Sequence, residues 1–146
     1  MSDKNIGWLL ASLEETPGVE CAVLVASDGM SPAHTARLTA DQAERVSAIA
    51  STLWGASRAF DRETGGGGVR QFVMESVDHL SLLIPAGQNT MLCVRTDGPL
   101  ADIGMISEAA LRLAESVGER LGVVPRGQVA GHDAGHGAAD PEVSRA

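Results

Sequence analysis

Apolar positions along the chain alternate between a helical and an extended period, and the changes of period divide it into eight elements. Ile6, Leu9, Leu10 and Leu13 share one helical face, which predicts a short amphipathic helix over 5–15, ended by Pro17-Gly18. In 19–27 (VECAVLVAS), Val19, Cys21, Val23 and Val25 alternate with Ala22, Leu24 and Ala26. Both sides of that strand are apolar, so it is expected to be covered on both faces. Asp28-Gly29 marks a turn, and 31–37 can return as a weak strand in which Pro32 suits an edge.

Thr39 followed by Gln42 is the signature of a capping box. It opens the longest helix, expected to reach about Arg62 before the glycine run Gly65 to Gly68. Three strands are expected next, at 69–77, 80–85 and 90–96. Their short connections, Asp78-His79 and 86–89, make hairpins and hence antiparallel pairing. Gly98-Pro99 introduces a last helix over about 100–121. Its stripe is Ile103, Ile106, Ala110, Leu113, Val117 and Leu121, with Gly122 as its expected C-cap.

The predicted order is αββαβββα, an α/β (α+β) domain in which a five-stranded antiparallel sheet carries helices on both faces. The apolar pattern stops after Pro125. One domain over 1–124 and a disordered Gly/Ala-rich tail over 125–146 are therefore expected.

Charge changes the picture by exclusion. The net charge is −8 and the eleven basic residues are dispersed, only one of them a Lys. A phosphate backbone calls for clustered Lys and Arg, so nucleic acid is not the expected partner. The chain has two Trp, two Phe and no Tyr, too few for a base-stacking platform. No apolar stretch is long enough to cross a bilayer, and 1–15 lacks the pattern of a secretory signal, so a cytoplasmic location is expected. Cys21 and Cys93 lie in apolar strand-like runs and are expected as buried, reduced thiols.

No catalytic constellation emerges. The chain has no G-x-S-x-G, H-E-x-x-H or C-x-x-C. The glycine run leads into Val69-Arg70-Gln71 rather than a Lys-Ser/Thr pair and a helix, so it is a connector and not a phosphate cradle. His132 and His136 stand four apart but in the expected tail, where nothing would hold a metal. Glu108 with Arg112, and Asp41 with Arg45, are placed for surface ion pairs. No cofactor, metal or enzymatic activity is expected.

The middle helix is more informative, because it carries two apolar stripes. Val46, Ile49, Leu53, Ala56 and Phe60 form one, suited to docking on the sheet. Ala43, Ser47, Ala50 and Trp54 form the other, small enough for a second helix to approach, with Trp54 as an anchor. Periodicity alone leaves open whether the second stripe is an interface or part of one wide buried face.

In element order and local phrases the chain resembles the roadblock (dynein light chain, Mgl B-type) family. The matching pieces are Val23-Leu24-Val25-Ala26-Ser27-Asp28-Gly29-Met30, the long Ala/Ser-rich helix, Gly65 to Gln71 opening a strand with Val73 and Glu75, and Asp102-Ile103-Gly104 before the last helix. They span about 5–121. The nearest similarity is to a bacterial subgroup, found in actinomycetes beside small Ras-like GTPases and a sensor-kinase-like protein of the same operon.

The resemblance implies the profilin-like roadblock sandwich, with the first and last helices on one face and the middle helix on the other. It implies a homodimer built through the middle helix and the third strand. On this chain that places Ala43, Ser47, Ala50 and Trp54 near the twofold axis, with Val69, Gln71, Val73 and Glu75 on the pairing strand. It further implies a regulatory, signalling role in which the paired helices bind a small Ras-like GTPase. No arginine finger carries over, and stimulation of GTP hydrolysis is left open. The competing possibility is a PAS/profilin-like domain that senses a small molecule.

Overall fold

The computed structural model describes residues 2–137, with side chains described for 6–120. Eight elements follow in the expected order. They are α1 (Ser2–Glu14), β1 (Val19–Ala26), β2 (Ala33–His34), α2 (Ala40–Thr64), β3 (Phe72–Glu75), β4 (Leu80–Pro85), β5 (Thr90–Thr96) and α3 (Ile103–Gly137). The strands form one sheet in the order β2-β1-β5-β4-β3, antiparallel throughout. It is a five-stranded antiparallel sheet between one helix and two.

Strand alternation sorts the core into two layers. Ala22 and Leu24 of β1, Leu82 and Ile84 of β4, and Leu92 and Val94 of β5 point to one side. There they meet Ile6, Leu10 and Leu13 of α1 and Ile106, Ala110, Leu113 and Val117 of α3. Val23, Val25, Leu83 and Met91 point to the other side, against Ala43 and Ala50 of α2. β1 is covered on both faces, as its unbroken apolar pattern requires. Leu121, expected on the same stripe of α3, falls outside the described side chains.

β2 is much shorter than the expected strand, because after two paired residues a side chain takes over the bonding. The Ala22 N–H donates to Thr35 Oγ1 at 3.1 Å, while the Thr35 N–H donates to the Ala22 carbonyl at 2.9 Å. The start of α2 is as expected: Thr39 Oγ1 accepts from the Gln42 N–H at 3.1 Å, and Gln42 Oε1 accepts from the Thr39 N–H at 2.9 Å. Gly65 ends α2 at φ 72°, a left-handed C-cap that suits glycine.

α3 differs most from expectation. It continues through Gly122 and Pro125 to Gly137, so Gly122 does not cap it, and the part of the expected tail up to 137 has helical backbone. A helix satisfies its hydrogen bonds within the segment and can run on without an apolar face to bury. Residues 138–146 lie outside the described residues.

Candidate functional site

α2 packs chiefly over β1, and which stripe it turns inward is decided by side-chain size. Ala43 (0 % exposed), Ser47 (0 %) and Ala50 (3 %) lie against the sheet, whereas Ile49 (63 %) and Phe60 (71 %) face outward. The two stripes are therefore the reverse of the expectation. Ala43, Ser47 and Ala50 are core residues of their own chain and are not available to a partner helix. The reason is geometric: small side chains let a helix axis settle close onto a sheet, just as they would let it settle onto another helix. Trp54 is half-buried and packs with the same core layer.

Because α2 lies over β1, the same face of β3 and β4 is left open beside it. A depression of about 160 Å³ there is lined by Val46, Ile49 and Leu53 of α2, Phe72 and Met74 of β3, and Leu83 of β4. It adjoins a wider one of about 780 Å³ that runs past Phe60 and shares Leu53 and Phe72. The result is a continuous apolar surface, rimmed by the outermost strand. β3 pairs with β4 alone, so its other edge carries unmet backbone groups.

The remaining expected residues lie before this strand or on its α1/α3 side. β3 begins at Phe72, so Val69 and Gln71 precede it. Gln71 turns toward α3, where its Oε1 accepts a hydrogen bond from Ser107 Oγ at 2.6 Å. Val73 and Glu75 stand opposite Leu82 and Leu80, on the α1/α3 side of the sheet. Phe72 and Met74, on the α2 side, were not singled out from the sequence. Their signal is the strand alternation itself, which puts positions 72 and 74 on the face opposite Val73 and Glu75.

Cys93 also lines the smaller depression. It is half-exposed and Cys21 is buried, and both are free thiols. Burial pushes the Cys93 thiol up to about 12, and the nearby Cys21 adds to that shift. Burial raises Cys21 too, against the opposing charge of Arg95. Neither is poised as a thiolate nucleophile. The expected Glu108–Arg112 ion pair forms at 3.3 Å. Among the described residues, no three His, Cys, Asp or Glu come together as a metal site. His132 and His136 fall on the stretch of α3 whose side chains are not described.

The Roadblock/LC7 domain family model matches residues 6–96, from α1 to the end of β5. The chain belongs to the Roadblock/LC7 domain family. A Roadblock/LC7 domain from Streptomyces avermitilis superimposes with a TM-score of 0.74 at 32% identity, over 79% of this chain and 96% of that one. An uncharacterized protein of Methanocaldococcus jannaschii is 31% identical over 117 residues, 80% of this chain and 97% of that protein. MglB of Myxococcus xanthus shares the fold, with a TM-score of 0.72 at 12% identity over 82% of this chain and 89% of that one. The matched segment ends with the sheet, and α3 follows it. Among the described residues, no helix is long and apolar enough to cross a membrane.

Proposed function

We propose that this chain is a regulatory protein of the cytoplasm that homodimerises through α2 and β3 and binds a small Ras-like GTPase. One observation carries the reading. An exposed apolar stripe, Val46, Ile49 and Phe60, runs beside a free strand edge whose inward residues, Phe72 and Met74, are also incompletely covered. A self-complementary patch of this kind suits a twofold interface. Pairing β3 with its copy would satisfy the open edge, and apposed α2 helices would cover the apolar stripe.

The GTPase follows from membership of a family whose paired helices serve as a docking platform. Whether this dimer accelerates GTP hydrolysis, and whether a sensor-kinase-like protein joins it, are further steps of the same proposal. Light scattering after size exclusion tests the dimer: a monomer at tens of micromolar would remove it. A pull-down from the native cytoplasm with GTP- and GDP-analogue loading tests the partner. Capture of no GTPase in either state would separate the dimer from the regulatory role.

A further inference from the structure

A second cleft shares Val69 with the wider apolar depression and lies between the C-terminal half of α2, the turn joining β4 to β5 and the end of β1. Its volume is about 370 Å³, within the roughly 300–1,000 Å³ typical of small-molecule sites. The chain carries a net charge of −8, yet no Asp or Glu lines the cleft and Arg58 does. Arg58 and Trp54 line it from α2, and Gln88 and Asn89 line it from the β4–β5 turn.

Among the described residues, the Arg58 guanidinium joins none of the ion pairs, which involve Arg37, Arg95 and Arg112. Among the described residues, the side-chain amides of Gln88 and Asn89 and the Trp54 indole N–H likewise make no hydrogen bond. The cleft is thus rich in unengaged donors and carries no negative group. Guanidinium matches carboxylate and phosphate geometry through two parallel hydrogen bonds. Trp54 is held by the core layer beneath α2, so it offers a fixed aromatic wall beside that charge.

We propose that this cleft binds a small organic anion, its carboxylate or phosphate held by Arg58 with Gln88 and Asn89, and its flat apolar body against Trp54. The site goes beyond the dimer reading and does not need it, since neither Ile49 nor Phe60 lines the cleft. Of the two depressions along β3, the smaller has no charged residue in its lining, and the wider sets the Asp61 carboxylate beside Arg70.

The test uses the full chain with Trp8→Phe, which leaves Trp54 as its one indole. Phenyl phosphate and benzoate are titrated by calorimetry and by tryptophan emission, with inorganic phosphate as the bare anion. The aromatic anions are expected to bind saturably with Kd of about 1 mM or tighter and to change the Trp54 emission. Inorganic phosphate should bind more weakly, because it leaves the indole wall uncovered. Arg58→Gln should weaken both aromatic anions at least ten-fold, and Arg58→Lys less. Arg62→Gln, one turn further along α2 and outside the cleft, should leave them unchanged. No saturable binding by either aromatic anion, unchanged affinity in Arg58→Gln, or binding that leaves the emission unaltered would each overturn the proposal.

Discussion

Gly118 of α3 and Gly87 of the β4–β5 turn meet backbone to backbone, so that a β-carbon on Gly118 would stand 3.0 Å from the Gly87 nitrogen. Further backbone atoms of Gly87 and Ala86 lie at 3.3 and 3.4 Å from the same point. Gly87 holds φ at 98°, which fixes the turn and leaves it little freedom to withdraw. In an ordinary helix interior, Gly→Ala stabilises by about 1 kcal/mol. Here Gly118→Ala is expected to destabilise by about 1–2 kcal/mol, because the clash is with backbone. Gly55→Ala, in α2 with no atom within 4 Å of its added carbon, is the contrast and should stabilise. Urea unfolding of both variants reads the sign; a more stable Gly118→Ala would mean that the turn moves aside.

Thr39 and Gln42 cap α2 reciprocally, each side chain bonded to the other's backbone N–H. Thr39→Ala should lower stability by about 1 kcal/mol, whereas Thr39→Ser, which keeps the acceptor, should lose far less. Equal urea midpoints for the two variants would show that the cap adds nothing to the packed helix.

The exposed and buried stripes of α2 make opposite predictions. Ile49→Arg should leave the fold intact and shift the mass by light scattering from dimer to monomer, since Ile49 touches solvent in the single chain. Ala50→Leu should instead destabilise the chain itself by about 1–3 kcal/mol, through overpacking against the sheet. An unchanged dimer with Ile49→Arg would take the stripe out of the interface.

That pair of variants also marks where sequence stops being informative. Periodicity revealed both stripes of α2 and the capping box, because spacing and local hydrogen bonding are written in consecutive residues. It did not reveal which stripe faces the sheet, since close approach rewards small residues whether the neighbour is a strand or a helix. β3 was misjudged at its start for a related reason: Val69 and Gln71 have strand-like neighbours, but pairing begins only where Phe72 comes opposite Leu83. The Gln71 hydrogen bond to Ser107 spans 36 residues and leaves no local trace. The antiparallel pairing of β3, β4 and β5 and the burial of β1 on both faces, by contrast, are legible in the hairpin spacings and in the doubly apolar pattern of β1.

Cys21 and Cys93 lie on the same face of neighbouring strands, Cys21 opposite Arg95 and Cys93 opposite Val23. Folding raises both thiols by burial, Cys93 from 9.0 to about 12. The folded chain therefore keeps the thiols neutral where the unfolded chain ionises them. That contribution is complete below the unfolded value of 9.0 and is lost progressively as pH rises toward about 12. Each thiol that remains neutral only in the folded state costs up to about 1.4 kcal/mol per pH unit across that window. With no Tyr and a single Lys, Lys4, the chain has few other groups that titrate there. Urea midpoints should accordingly fall between about pH 8 and about pH 10.5, with Cys93→Ala flattening a large part of the fall. If the wild-type midpoint proved as insensitive to pH as that of Cys93→Ala, burial of this thiol would not be what couples the fold to alkaline pH.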